Sequence, residues 1–271
     1  MSEHEPSHVL VLSLPKTAST TLAQALEARF ATATVWHTHS LDARYLGVID
    51  SSLRSRGFTP GRIIADGLAA GEALRSSPHE PVPVVTVVRD PLHCWVSAYF
   101  QNLHRIMEVI EHDGASAVLS TLERGGAVEK LDPADLLLGR QAIIDGFDWY
   151  ATSEWRWPDP TGWMEDNVAD ALAIDLLSRS QAGEAAQRFV SDVADLLVLR
   201  FEDLAQTVPA RLADHFGVDS WPVPARNVGA SKPYASWRTW LEESRDFAAE
   251  SERLHGSRYA RAFWTSLEID A

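Results

Sequence analysis

The sequence predicts an α/β fold, a central parallel sheet flanked by helices in three layers. Three observations predict it. Apolar runs of strand length recur without helical period; each strong run is followed by a polar loop and then by apolar residues at helical spacing; and no repeat, low-complexity stretch or linker interrupts the alternation. The chain therefore reads as one domain, residues 1–271. In such sheets ligands bind outside the carboxyl ends of the strands, so the loops that follow strands are where function is sought.

The first unit opens with His8–Leu14, apolar and bounded by a proline on each side, as suits a buried strand. A polar turn, Pro15-Lys16-Thr17-Ala18-Ser19-Thr20-Thr21, leads into Leu22, Ala23, Leu26 and Phe30, one face of a helix capped by Ser19 or Thr20. Thr34–His37 predicts a short second strand, Leu41–Arg56 a helix, and Arg62–Ala65 a short apolar segment before another helix through Leu74. Val84–Val88 predicts the cleanest buried strand, ending in Arg89-Asp90-Pro91 before a periodic helix over Leu92–Ile110. Helices follow over Ala115–Leu122 and Pro133–Ile144, then an aromatic-rich loop over Phe147–Trp163. Leu196–Arg200 predicts a third strong strand, with a helix through Phe216, a Pro-punctuated loop over Trp221–Pro233 and a final amphipathic helix from Tyr234.

Composition narrows the function classes. The 271 residues are 45% hydrophobic and carry a formal charge of -14, which predicts a globular chain without steering toward nucleic acid or an anionic membrane. No run approaches the roughly 18 apolar residues of a membrane span. The first residues lack the basic start and apolar stretch of a signal peptide, and a single cysteine, Cys94, builds no disulfide framework. The expectation is a reducing, cytoplasmic setting. Any anion site must then be a local concentration of positive groups.

Two loops offer one. At the first, Lys16 and several backbone N–H groups meet where a helix begins, so lysine and helix N-terminus can hold the same anionic oxygen. It is not the nucleotide P-loop: G-x-x-x-x-G-K-[ST] needs two glycines, and none precedes Gly47. On its own the loop is equally an exposed lysine beside an ordinary cap. At the second, Arg89 supplies a planar fork of donors and Ser97, two turns into the next helix, a hydroxyl. A bend at Pro91 is needed for both to share one phosphate.

Together the loops match something specific. Leu14-Pro15-Lys16-Thr17-Ala18-Ser19-Thr20-Thr21-Leu22 resembles the 5′-phosphosulfate loop of sulfotransferases that use 3′-phosphoadenosine 5′-phosphosulfate (PAPS). Val88-Arg89-Asp90-Pro91, with Ser97, Tyr99 and Asn102, is similar to their 3′-phosphate motif. The tail Asn227-Val228-Gly229-Ala230-Ser231-Lys232-Pro233-Tyr234-Ala235-Ser236 resembles the Asn-Lys-Trp-Tyr-Ser signature of a branch linked to capsular polysaccharide synthesis. Phe147-Asp148-Trp149-Tyr150, Glu154 and Leu197–Leu204 are also similar to that branch. Ala18 stands where the family usually has Gly, and Pro233 where the branch usually has Trp.

The resemblance implies a P-loop-like fold, PAPS as donor with 3′-phosphoadenosine 5′-phosphate (PAP) as product, and a hydroxyl-bearing small-molecule or saccharide acceptor. It implies that Lys16 contacts the bridging oxygen and that the loop from Thr17 through Ala18 to Thr20, with the hydroxyls of Ser19, Thr20 and Thr21, holds the phosphosulfate. Arg89 and Ser97 would hold the 3′-phosphate, and Lys232, or less well Arg226, would close over the nucleotide. For a general base, His37 and His39 follow the second strand, and alternation sends them to the same side, one as base and one as structural partner. Glu154, among Trp149, Tyr150, Trp155 and Trp157, is the carboxylate alternative. Of ten tryptophans, Trp149, Trp155, Trp157, Trp163 and Trp221 fall in predicted loops, where they either pin the chain to the core or offer an acceptor a flat face. No metal-ligand spacing occurs.

Two other readings fit parts of the pattern. In one, Asp90 holds Mg²⁺ and Lys16 contacts nucleoside triphosphate in a phosphotransferase; the missing glycines and the arginine before Asp90 oppose it. In the other, a non-catalytic relative keeps the nucleotide fold for binding; the intact Lys16, Arg89 and Ser97 oppose that.

Overall fold

The apolar runs become strands because their side chains leave water on both faces. The computed structural model describes residues 5–55, 57, 59–76, 80–123, 133–153, 156–223 and 235–269. In it β1 (His8–Leu12), β2 (Thr34–Thr38), β3 (Val82–Val88), β4 (Ala186–Val190) and β5 (Ala194–Arg200) form a five-stranded sheet of order β2-β1-β3-β5-β4. Val9, Leu10, Val11 and Leu12 have no exposed surface, and neither do Val84, Val85 and Val88. The pairings β1·β2, β1·β3 and β3·β5 are parallel, with His8 opposite Thr34 and Val88 opposite Arg200. The sheet is not wholly parallel: β4 runs antiparallel along β5.

The described residues divide into two compact units. The first joins Met1–Asp90, Asp159–Arg226 and Arg258–Ala271 and contains the whole sheet. Its helices are α1 (Ser19–Arg29), α2 (Ala43–Ser55), α3 (Arg62–Ser76), α7 (Pro160–Met164), α8 (Asp170–Leu172), α9 (Leu176–Arg179), α10 (Leu204–Phe216), α12 (Arg258–Phe263) and α13 (Ser266–Ile269). Leu22 and Leu26 of α1 and Phe30 at its C-cap pack with Val9, Val11, Val85, Leu199 and Leu212, one continuous apolar cluster. A single π-helical turn, Glu165–Ala169, separates α7 from α8. Arg62–Ala65, apolar enough to be read apart, is the first turn of α3.

The second unit, Pro91–Pro158 with Asn227–Ser257, is helical: α4 (Pro91–Val109), α5 (Ala115–Glu123), α6 (Pro133–Thr152) and α11 (Phe247–His255), with a 3₁₀ stretch over Ala235–Glu243. Trp95 of α4 meets Phe147 of α6 edge-on at 4.3 Å, and Tyr99 donates to the Ile143 carbonyl at 2.6 Å. Phe147–Thr152, the start of the stretch read as a loop, is therefore the last turn and a half of α6, while 156–159 lie outside any helix. Gly146 makes this possible: a Cβ there would lie 2.7 Å from Met107 Cε and 3.0 Å from the Tyr99 hydroxyl, so glycine allows α4 to approach and does not end the helix. Trp163 also departs from its predicted loop, sitting buried in α7. The single tail helix is instead the 3₁₀ stretch, α11, α12 and α13, with a Gly256 turn after α11.

Candidate functional site

The sheet order fixes where the site falls. The chain leaves β1 for β2 on one side and later returns to β3 on the other, so β1 and β3 are neighbours whose loops depart in opposite directions. A reversal of this kind is where open α/β sheets place their ligands, at the carboxyl edge. The loop after β1 carries Lys16, and the loop after β3 carries Arg89.

The first loop holds two side-chain-bearing residues in the left-handed region, Lys16 at φ 76° and Ala18 at φ 63°, ψ 16°. Each costs about 1 kcal/mol or more, which surrounding bonds must offset. Buried Thr17 donates its hydroxyl to the Leu14 carbonyl at 2.8 Å, closing the loop on itself. The amides of Thr21 and Leu22 converge on the Ala18 carbonyl at 3.0 and 3.2 Å. From the second loop, Arg89 Nη1 donates to the Lys16 carbonyl at 2.9 Å. Ala18 at the N-cap brings no side-chain cap, and the first turn of α1 has no acidic residue. The end of α1 thus keeps its partial positive charge.

Arg89 is itself tightly set. Its guanidinium lies 4.2 Å from the centre of the Phe201 ring, and the Tyr259 hydroxyl accepts from its N–H and donates to its carbonyl, each at 3.1 Å. The Glu202 carboxylate accepts the next amide, Asp90 N–H, at 3.1 Å. Arg89 Nε is buried with no hydrogen-bond partner among the described residues. An unpaired buried donor on a cation is what an anion would satisfy.

His37 and His39 meet on the same side of β2, as alternation predicts, with rings edge-to-face at 5.3 Å. The two are held differently. His39 Nδ1 lies 2.7 Å from the Ser13 carbonyl, an oxygen that can only accept, so Nδ1 carries the proton and Nε2 the lone pair. Its backbone carbonyl takes the Trp163 indole N–H at 2.7 Å. Burial lowers its pKa and the Lys16 charge lowers it further, against the raising effect of the Ser13 bond. His37 Nε2 lies 2.9 Å from Ser19 Oγ, and its backbone N–H donates to Asp66 at 2.9 Å. Burial, then the His39 and Arg62 charges, push the His37 pKa down to about 4. Both rings are neutral at pH 7.

The first unit therefore brings together Lys16, Thr17, Ala18, Ser19, Arg89, His37 and His39. Thr20 is exposed on the first turn of α1, and Thr21 is buried. Ser97 is half-buried on α4, two turns in as its spacing predicts, and belongs to the second unit. Lys232, Arg226 and Glu154 lie outside the described residues, as does the tail signature up to Tyr234. Sequence reading missed Arg62, Asp66, Tyr259 and Asn167, which hold the site from other elements, and gave Phe201 no role beyond its place in the Leu197–Leu204 stretch. Asn167 accepts the Leu41 amide at 2.7 Å from the π-helical turn, a rare conformation concentrated at functional places. A cleft of about 590 Å³ elsewhere in this unit is lined by Leu41, Asp42, Arg75, Asp166 and Asp170 and by no residue of the two loops.

The fold and site define an α/β protein in which Lys16, Arg89 and the uncapped start of α1 meet at the switch point of its sheet, beside a pair of neutral histidines. Comparison with protein families and with curated proteins finds no match. Among the described residues no helix is long and apolar enough to cross a membrane, and no cluster of three or more His, Cys, Asp or Glu suits a metal ion.

Proposed function

We propose that the chain is a sulfotransferase that moves a sulfuryl group from PAPS to a hydroxyl of a small-molecule or saccharide acceptor. The observation that carries this reading is the bond from Arg89 to the Lys16 carbonyl, which ties the two motif loops into one cationic cradle at the switch point. The donor set fits a phosphosulfate: an ammonium, a guanidinium with an unpaired Nε, uncapped first-turn amides and no carboxylate in that turn. PAPS supplies the activated sulfuryl group and a phosphate leaving group. Lys16 neutralises charge that grows on the leaving oxygen, and the amides from Thr17 to Thr20 hold the phosphosulfate oxygens. Arg89 takes a phosphate with its remaining donors, the residue type suited to that geometry. His39 accepts the acceptor's hydroxyl proton at Nε2, the nitrogen its bond to Ser13 leaves bare. Ser97 and Lys232 join the nucleotide by resemblance alone.

Thermal stabilisation by PAP, set against AMP and against ATP with Mg²⁺, tests the reading. A ligand at about 100 times its dissociation constant adds about 2.7 kcal/mol, a visible shift. A shift that needs the 3′-phosphate and no metal, lost in Arg89→Ala, is expected, with sulfuryl transfer abolished in a folded Lys16→Ala. Stabilisation by ATP with Mg²⁺ alone would replace the proposal with phosphoryl transfer.

A further inference from the structure

Ser19 and His37 lie 18 positions apart in sequence and only 4% and 8% exposed, yet their polar atoms meet at 2.9 Å at the start of α1. One proton lies between them. A neutral imidazole has one N–H, so there are two arrangements. With the proton on Nδ1, Ser19 spends its hydroxyl hydrogen on the ring and turns only lone pairs elsewhere. With the proton on Nε2, the ring donates to Ser19 Oγ and the hydroxyl is released to donate in its turn. Only the second suits a hydroxyl beside Lys16 and the uncapped end of α1, where an anion is to be held. A hydroxyl that accepts a hydrogen bond is also the stronger donor.

The surroundings of His37 keep the ring neutral in either arrangement. Just past the end of its own strand it faces His39; from α3 it faces Arg62, whose Nη2 donates to the Val35 carbonyl at 2.9 Å and which also pairs with Glu27 of α1. Lys16 stands beyond His39 on the β1–α1 loop, close enough for its charge to act on that ring. The one carboxylate against His37 among the described residues, Asp66, is engaged by Arg62 Nε at 3.1 Å and by the His37 backbone N–H. That bond fixes the His37 backbone to α3. His39 has the opposite tautomer imposed on it by Ser13, so the two neighbouring rings divide the work.

We infer that His37 is a positioning residue: it donates from Nε2 to Ser19 Oγ and so aims the Ser19 hydroxyl hydrogen at the anion held by the β1–α1 loop. This rests on the reading of that loop as the phosphosulfate cradle, and it takes His37 out of the candidates for the base.

The test is a double-mutant cycle on the full chain with two probes, PAP and inorganic sulfate, read by calorimetry, together with the ¹⁵N chemical shifts of the His37 ring. Ser19→Ala and His37→Ala are each expected to weaken binding about tenfold, the worth of one hydrogen bond to a charged group. The double variant should be no weaker than Ser19→Ala, because His37 acts through that hydroxyl. His37→Gln, whose amide N–H reaches a similar place, should restore affinity to within about threefold. The ring nitrogen shifts in the PAP-bound wild type should report Nε2–H. Additive losses, a Gln variant no better than Ala, or an Nδ1–H ring would each overturn the inference, and the ring shifts decide it even where His37→Ala fails to fold. Wild-type binding of sulfate without PAP would overturn the PAPS reading while the cycle, run on sulfate, still decides the role of His37. Binding of neither probe would overturn both.

Discussion

Gly67 and Gly47 sit inside adjacent helices, and the same change to alanine should move stability in opposite directions. In an exposed helix interior, glycine to alanine gains about 1 kcal/mol from propensity. A Cβ on Gly47 of α2 would meet nothing within 4 Å, so that gain is expected in full. A Cβ on Gly67 of α3 would lie 2.6 Å from Thr38 Oγ1 and 2.7 Å from both Leu46 Cδ1 and the Ser40 carbonyl oxygen. The Leu46 methyl can swing away. Thr38 cannot, because its hydroxyl donates to the Ser40 carbonyl at 2.9 Å and accepts the Ser40 amide at 3.2 Å. Relief then requires the backbone around Ser40 to shift. Overpacking of this kind costs about 1–3 kcal/mol, and with a rigid backbone partner the upper half of that range outweighs the helical gain. Gly67→Ala should lose about 2 kcal/mol while Gly47→Ala gains about 1 kcal/mol, a separation of about 3 kcal/mol. Urea titration followed by fluorescence gives both midpoints, with equal slopes confirming a change in stability and not in compactness. Because His39 lies between Thr38 and Ser40, the Gly67 variant should also slow the proposed sulfuryl transfer at saturating donor. A Gly67→Ala protein as stable as Gly47→Ala would refute the packing argument.

Ala18→Gly removes a Cβ from a left-handed position at φ 63°. After the entropy glycine loses on folding, the net gain is about 0.5–1 kcal/mol, seen as a melting midpoint up by about 2 °C. An unchanged or lower midpoint would mean that the surrounding bonds, not the side chain, set that conformation. His215 of α10 has a side chain only 2% exposed and 3.9 Å from Asp195, with neither ring nitrogen hydrogen-bonded among the described residues. Burial, with a smaller opposing effect from Asp195, pushes its pKa down to about 4. The unfolded chain, with an ordinary histidine near 6.5, then takes up the proton first, so stability falls as pH drops from about 6.5 to about 4, by roughly 3 kcal/mol. His215→Leu should leave stability at pH 7 nearly unchanged and flatten that acid limb in urea titrations at stepped pH. An identical pH profile in the variant would sink the assignment.

What the sequence made legible was whatever it encodes locally. Val84–Val88 and His8–Leu12 are apolar on both faces, which only burial explains, and each is followed by its polar loop and a helical period. Ala186–Val190 escaped because an edge strand need not be apolar: Arg188 and Val190 are exposed, and only Phe189 is buried. α6 runs past its predicted end at Ile144 to Thr152, and the missing Cβ of Gly146 is what lets Met107 and Tyr99 approach it there. Lys16 and Arg89 could be named from their loops. Their mutual bond could not, since it spans 73 residues and depends on β1 and β3 being neighbours. Nor could the roles of the histidines: parallel register sets His37 opposite Val11, and only that placement carries its ring to Ser19 and its neighbour's to Ser13.

The Trp163 and Asn167 bonds to His39 and Leu41 reach back 124 and 126 residues. A growing chain that has emerged as far as Asp90 already holds the loops that carry Lys16 and Arg89, yet the segment carrying His39 still awaits its indole and amide partners. The loops that carry Lys16 and Arg89 are thus written early in synthesis and the His39 segment is locked late, so a nascent or truncated chain would hold the first well before the second is fixed in place.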